Sequence, residues 1–137
     1  MKKKLIAWTP DLGTGIIWQD LQHTTLIAQV NGLYTAILEK RGAEHIDRII
    51  SFLDSYVINH FSIEEKYMDY YRDPEMAGHI KEHAVFAQNL EELKKSRHAP
   101  GELAAESLCY DLYEWFKNHI VSIDKRFGIF LKAQGEK

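Results

Sequence analysis

Apolar residues recur every three or four positions along most of this 137-residue chain, and this helical period constrains the fold more than any other feature. It predicts four amphipathic helices, over about 20–40, 43–71, 73–96 and 102–131. The connections between them are very short, so consecutive helices must run antiparallel. We therefore expect an all-α, up-down-up-down antiparallel four-helix bundle, with an irregular N-terminal arm over 1–19 and a short C-terminal helical extension.

Individual residues mark the expected helix ends. Asp20 is the expected N-cap of the first helix, and Arg41-Gly42 the expected end, with glycine in its usual C-terminal place. Asp73-Pro74 predicts the start of the third helix, because proline is favoured at the first helical position. A turn over 98–101 precedes the fourth helix.

Composition limits the class of protein. The length favours one domain spanning 1–137, with its bundle over about 20–131. There are 17 basic and 20 acidic residues and no basic block, which argues against a nucleic-acid partner. No apolar run approaches the ~20 residues of a membrane-spanning helix, so we expect no membrane insertion. The single Cys109, and an apolar stretch after the first lysines that is too short for a signal peptide, predict a cytoplasmic protein. No excess apolar face is evident, and we expect a monomer.

Polar residues interrupt the inward apolar stripes of all four helices. These residues are five histidines and two carboxylates: His23, His60, Glu64, His79, His83, His119 and Asp124. A lone inward histidine is usually an ordinary core residue, and burying such groups without partners is costly. However, counting residues from each turn at about 1.5 Å per residue places all seven within roughly two helical turns of one level. Their convergence predicts a shared site.

The chemistry of these donors points to metal. One ion cannot use seven donors from four helices, whereas two ions can. Imidazole and carboxylate without thiolate suit iron, manganese or zinc better than copper(I). If both ions are octahedral, both carboxylates bridge and one solvent oxygen bridges as well, one coordination position stays open for a small ligand.

The donors and their spacing resemble those of the hemerythrin family. The matching pattern is H…HxxxE…HxxxH…HxxxxD, and the flanks Asp20-Leu21-Gln22, Glu65 with Met68, and Trp115 are similar to those of single-domain bacteriohemerythrins. The resemblance extends from about Trp8 to Leu131.

This resemblance implies two non-haem iron ions with an oxo or hydroxo bridge, and O2 as the ligand. His79, His83 and His119 would hold one iron, and His23 and His60 the other, which keeps the open position; Glu64 and Asp124 would bridge. By similarity, the O2 pocket is lined by Leu26, Phe61, Trp115, Phe116 and Ile120. A local bulge near 120–123 would bring His119 and Asp124, five residues apart, to one face.

The expected function is reversible O2 binding, as a carrier, a store or a sensor, and not catalysis. A weak oxidase or peroxidase side activity is compatible with such a site. Two alternatives stay open: a di-iron enzyme acting on peroxide or nitric oxide, and an iron or zinc buffer. An O2-consuming or redox protein would be the natural partner.

Overall fold

The computed structural model describes residues 4–95 and 101–137. Its α-helices are α1 (Ile17–Leu38), α2 (Gly42–Tyr56), α3 (Ser62–Tyr71), α4 (Met76–Lys95), α5 (Gly101–Trp115) and α6 (Lys125–Ala133). Two π-helical segments, Val57–Phe61 and Phe116–Asp124, continue directly into the α-helices on either side, and a short 3-10 turn covers Pro10–Leu12. The described residues contain no strand, and the prediction of an all-α helical bundle is confirmed. None of the described helices is long and apolar enough to cross a membrane. Of the predicted turn at 98–101, only Gly101 is described.

The chain divides into two compact units, residues 1–46 with 100–137 (unit 1) and residues 47–99 (unit 2). In unit 1, α1 runs antiparallel to the helix formed by α5, the second π segment and α6. The Gln19 side chain, near the start of α1, donates to the Asp124 carbonyl at 3.1 Å. Past the other end of α1, the Ala43 amide donates to the Glu102 carboxylate at 2.9 Å. Contacts at both ends of α1 therefore establish the antiparallel direction.

Unit 2 is also an antiparallel helical pair. The helix formed by α2 from Asp47 onward, the first π segment and α3 packs against α4. Asp54 forms an ion pair with Lys94 near one end, and Glu64 lies 3.1 Å from His83 near the other. The turn between them uses Arg72 in the left-handed region, at φ 54°. Helix α4 begins at Met76 instead of Asp73, because the Asp73 carboxylate accepts from the Glu75 amide and holds a separate turn.

The predicted apolar stripes form much of the core. In unit 1, Leu26, Val30 and Leu33 of α1 are buried, as are Leu108 and Leu112 of α5. In unit 2 the buried apolar residues are Ile49, Ile50, Leu53, Tyr56, Phe61, Met68 and Leu90.

The apolar stripe of the first helix includes Leu38, and Trp8 and Ile17 are expected to anchor the N-terminal arm to the bundle, yet all three residues are exposed. Leu38 is 52% exposed because α1 ends at this residue. On the N-terminal arm, Trp8 and Ile17 are exposed while Ile6 and Ile16 are buried. The apolar contact of the arm therefore uses the two isoleucines.

Both predicted ends of the first helix are wrong. Ile16, not Asp20, is the N-cap of α1, and the Asp20 carboxylate reaches back to accept from the amides of Thr14 at 2.8 Å and Gly15 at 3.1 Å. The chain turns after α1 at Lys40, with φ 59°, and not at Gly42.

Gly42 instead begins α2, and a glycine is needed there for a reason other than ending the first helix. A Cβ there would lie 2.8 Å from the Cβ of Ala105 and 3.1 Å from Cγ1 of Ile37. The glycine is therefore required by close helix packing rather than by backbone conformation.

Candidate metal centre

Unit 2 gathers four of the predicted donors around one carboxylate, a group that we call the His/Glu cluster (His60, Glu64, His79, His83). Nε2 of His60 lies 3.4 Å from Oε2 of Glu64. Nε2 of His79 and Nε2 of His83 lie 3.5 Å and 3.1 Å from the other oxygen, Oε1. Ligand atoms of Glu64, His79 and His83 all lie within 4.8 Å of one another. All four side chains are buried.

Unit 1 gathers the other three predicted donors, the His/Asp cluster (His23, His119, Asp124). Nε2 of His23 lies 3.0 Å from Oδ2 of Asp124, and Nε2 of His119 lies 2.9 Å from Oδ1. All three residues have no exposed surface. His23 comes from α1 and the other two from the second π segment, so the antiparallel packing of unit 1 brings them together.

Both carboxylates face histidines through both of their oxygens. At Glu64, one oxygen faces two imidazoles and the other faces one. At Asp124, each oxygen faces one imidazole. A carboxylate whose two oxygens serve different sets of imidazoles is placed as a bridging ligand would be.

The spacing and burial of the donors fit metal ligation. Adjacent donors on an octahedral ion with bonds of about 2.1 Å lie about 3.0 Å apart, and the nitrogen–oxygen distances here run from 2.9 to 3.5 Å. Imidazole nitrogen and carboxylate oxygen are donors that iron accepts. A buried carboxylate is costly unless a positive charge compensates it, and a metal ion supplies that charge.

Glu65 orients one of the histidines, a role that sequence reasoning missed. Its Oε2 lies 3.0 Å from Nδ1 of His83. An ionised carboxylate can only accept, so Nδ1 carries the proton of this contact, and Nε2 is the nitrogen that faces Glu64. The sequence signals were its place among the flanks that resemble bacteriohemerythrins and its position next to Glu64, on a face turned by about 100°.

Gln19 is a second missed residue. It is completely buried, and its amide donates to the backbone carbonyl of Asp124. This bond holds the end of the second π segment, and with it the backbone that carries the Asp124 carboxylate. The only sequence signal was a glutamine four residues, about one turn, before His23.

The π-helical segments carry three of the seven donors. His60 lies in the first, and His119 and Asp124 lie in the second. In a π-helix the hydrogen bonds join residues five apart, so such residues fall on one face. The predicted distortion near 120–123 is therefore confirmed, and it extends over 116–124.

Aromatic rings stack on three of the histidines. Phe61 stacks on His83 with ring centroids 3.9 Å apart and planes within 2°, and Trp115 stacks on His119 at 3.8 Å and 11°. Tyr56 stacks on His60 at 4.6 Å. These contacts restrict the rotation of each imidazole. The Tyr56 contact was not predicted.

The residues predicted to line the O2 pocket are placed as follows. Leu26, Phe61 and Ile120 are buried, with at most 4% of their surface exposed, whereas Trp115 and Phe116 are half-buried. Leu26, Trp115, Phe116 and Ile120 belong to unit 1, and Phe61 belongs to unit 2.

Two further residues lie outside both clusters. The sequence places His45 and His98 at helix or turn ends, where surface positions are expected; His45 is instead half-buried on α2, and His98 lies outside the described residues. Cys109 is a buried free thiol on α5.

Comparison with known proteins gives one consistent family. Residues 14–128 match the hemerythrin HHE cation binding domain family. The chain is 31% identical to a bacteriohemerythrin of Stenotrophomonas maltophilia, over 94% of this chain and 83% of that protein. It is 30% identical to a bacteriohemerythrin of Methylococcus capsulatus, over 94% of this chain and 98% of that protein. A crystal structure of a hemerythrin variant matches with a TM-score of 0.71 and 26% identity, over 92% of this chain and 96% of that chain.

The family match covers most of the chain, and the similar crystal structure shows that the fold is shared as well. A hemerythrin domain implies a non-haem iron centre, and the His/Glu and His/Asp clusters contain residue types that can bind such a metal. This chain therefore belongs to the hemerythrin family.

Proposed function

We propose that this protein binds O2 reversibly at a non-haem centre of two iron ions, as a carrier, a store or a sensor and not as an enzyme. The arrangement at the two buried carboxylates carries the proposal, because Glu64 and Asp124 each present their two oxygens to different histidines. Family membership supports the same function. Together the two clusters would supply five imidazoles and two carboxylates, which suits two ions and not one.

In this proposal the histidines divide three and two. His79, His83 and His119 hold one iron, His23 and His60 hold the other, and Glu64 and Asp124 bridge. The separation of His60 from His79 and His83 at the two oxygens of Glu64 supports the division, and so does that of His23 from His119 at Asp124. The iron with two histidines keeps a position for O2.

The donor set favours binding O2 over cleaving it. When bound, the two irons supply the electrons that O2 takes up on binding and returns on release. Ferritin-like di-iron proteins use carboxylate-rich ligand sets, whereas this chain offers five neutral imidazoles and only two carboxylates. Glu65 accepts from Nδ1 of His83 and so orients this ring with its Nε2 toward the Glu64 carboxylate.

Apolar side chains would keep water from the bound ligand. Leu26 lies about one helical turn after His23 on α1, and Ile120 directly follows His119. Both are almost completely buried. A dry surrounding limits proton access, and proton access is what would convert the O2 complex into an inactive oxidised centre.

The first test replaces the proposed bridges. Glu64→Ala or Asp124→Ala removes a ligand from both ions, and the purified protein should lose two-iron loading and the visible band that appears on aeration of the reduced protein. Normal iron content with normal O2 binding in either variant would contradict the assignment.

The second test opens the proposed pocket. Leu26→Ala and Ile120→Ala leave every ligand in place, so iron content should stay at two per chain while the O2 complex decays faster. Leu33→Ala is the matched control, because Leu33 is buried on the same helix but lies outside the predicted pocket. Loss of iron from the pocket variants, or equal decay in all three, would contradict the proposal.

The same measurements distinguish the other functions. Reversal of the aerated spectrum on deoxygenation is expected for O2 binding. Rapid turnover of peroxide or nitric oxide would indicate an enzyme, and iron or zinc binding without a colour change on aeration would indicate a metal buffer.

A further inference from the structure

A second candidate site is a cavity of about 300 Å³ in unit 1, which we call the arm cavity. It lies between the N-terminal arm, α1 and the start of α2. Its lining residues are Lys4, Ala28, Asn31, Gly32, Thr35, Ala36, Arg41 and His45. None of the seven predicted iron ligands is among them. The volume is at the low end of the range for small-molecule sites.

The floor of the arm cavity is built from small side chains of α1. Ala28, Gly32, Thr35 and Ala36 project little from the helix, and the space exists because they are small. A Cβ placed on Gly32 would approach nothing closer than Nε2 of His45, at 4.0 Å. The only charged residue on the whole of α1 is Asp20, which lies two turns before Ala28 and binds the preceding loop. The floor is therefore uncharged and suits an apolar group.

One wall of the arm cavity is held in place before any ligand binds. The Asn31 side chain accepts from the Ile6 amide at 2.9 Å and donates to the Ile6 carbonyl at 2.8 Å. The Ile6 side chain is also buried. These contacts fix the arm beside α1 and position Lys4 at the edge of the cavity, so a ligand would not have to pay for ordering this wall.

The rim of the arm cavity is basic. Lys4, Arg41 and His45 line it, and none of the described lining residues is acidic. The Arg41 guanidinium is paired with Glu39 at 2.6 Å, so that pair adds little net charge. Among the described residues, Lys4 and His45 have no ion-pair or side-chain hydrogen-bond partner. Lysine and imidazole N–H groups donate to anionic oxygens.

We propose that the arm cavity binds a small organic carboxylate, with its apolar body against the floor and its carboxylate facing Lys4 and His45. This site is separate from the proposed iron centre and does not depend on it. The uncharged floor distinguishes such a ligand from inorganic phosphate, and the basic rim distinguishes it from a neutral molecule of the same shape.

The test is calorimetric titration of the metal-loaded protein with benzoate, beside inorganic phosphate and benzyl alcohol. Benzoate should bind at about 1 mM or tighter, the range for a ligand of this size at a shallow site. Phosphate and benzyl alcohol should each bind at least about fivefold more weakly, since each lacks one half of the recognition. Equal or tighter binding of either one would overturn the proposal, as would the absence of saturable benzoate binding.

Variants locate the binding. Gly32→Leu fills the cavity without loss of helix propensity and should weaken benzoate binding by about tenfold or more. Ala28→Leu fills it from the preceding turn and should do the same. Lys4→Gln should weaken binding by about fivefold, because the lysine is exposed and its charge is partly screened. Lys95→Gln, an exposed lysine at the end of α4, is the matched control and should change the affinity by less than about twofold.

Binding of benzoate to iron is the competing outcome. It would change the visible absorption spectrum, and it would be insensitive to Gly32→Leu, Ala28→Leu and Lys4→Gln. Either observation would overturn the proposal.

Discussion

The buried carboxylates show how much depends on single atoms at the residue scale. Glu64 and Glu65 are neighbours in sequence. The Glu64 carboxylate lies near the Nε2 atoms of three histidines, whereas the Glu65 carboxylate contacts Nδ1 of His83. One residue lies among the Nε2 atoms of the His/Glu cluster, and the other orients the ring of His83. Because the two carboxylates point in different directions from one helical turn, their roles are separable by mutation.

The first prediction concerns Glu65. Glu65→Ala removes the acceptor for Nδ1 of His83 and should weaken iron binding by about tenfold or more, the usual cost of losing such an orienting group. Glu65→Gln keeps an acceptor oxygen and should retain most of the affinity. Competition with a colorimetric chelator measures the difference, with Glu106→Ala, an exposed glutamate on α5, as control. Equal iron affinities for Glu65→Ala and the wild type would contradict the orienting role of Glu65.

The second prediction concerns Cys109. Burial raises the pKa of its thiol above the ordinary value, so less thiolate is present at a given pH, and only the thiolate is nucleophilic. The folded protein should therefore react with a disulfide reagent much more slowly than the denatured protein at the same pH. Cys109→Ser should leave the visible spectrum unchanged. A shifted spectrum would show that the thiol influences the metal centre.

At the element scale, the space around a helical glycine differs from one site to the next. Gly42 contacts Ala105, and Gly32 faces an open cavity, although both are helical glycines in unit 1. The π segments show a similar dependence on surroundings, because the Asp124 carbonyl at the end of one is bound by Gln19 from another helix.

The third prediction contrasts these glycines. Gly32→Ala should raise the free energy of unfolding by up to about 1 kcal/mol, since alanine is the better helix former and the space is open. Gly42→Ala should lower it by about 1–3 kcal/mol, because its Cβ would crowd the Cβ of Ala105. Urea denaturation of the two variants measures both changes. If both substitutions raised the free energy of unfolding, helix propensity rather than packing would determine the effect at both positions.

At the scale of the whole molecule, metal binding and folding are expected to be coupled. Each unit buries its own cluster of histidines around a carboxylate, and such groups are costly to bury without a cation. This cost should be largest for the His/Asp cluster, because all three of its residues are completely buried.

The fourth prediction concerns metal removal. The chelator-treated protein should melt at least about 10 °C below the iron-loaded protein, because a ligand present at 100 times its Kd stabilises by about 2.7 kcal/mol and structural metals bind more tightly still. Differential scanning calorimetry of both forms tests this. Equal melting temperatures would contradict a buried iron centre.

The sequence alone determined the all-α class, most of the core and the local distortion near His119, because all three follow from spacing along a single helix. An α-helix turns by about 100° per residue, so a position on the chain predicts a face. The residues of both clusters were predicted in the same way, although the bridging roles and the shared two-iron centre stay predictions.

Only the tertiary structure determined the contacts between residues on different helices, because spacing along one helix does not specify them. Ala105 leaves no room for a side chain at position 42, so a glycine is required there. The buried Gln19 amide donates to the Asp124 carbonyl of another helix. Helical periodicity describes the direction of each side chain from its own axis. It contains no information on which atom of a distant residue lies 3 Å away, since that depends on how two helices pack, and only the folded chain determines it.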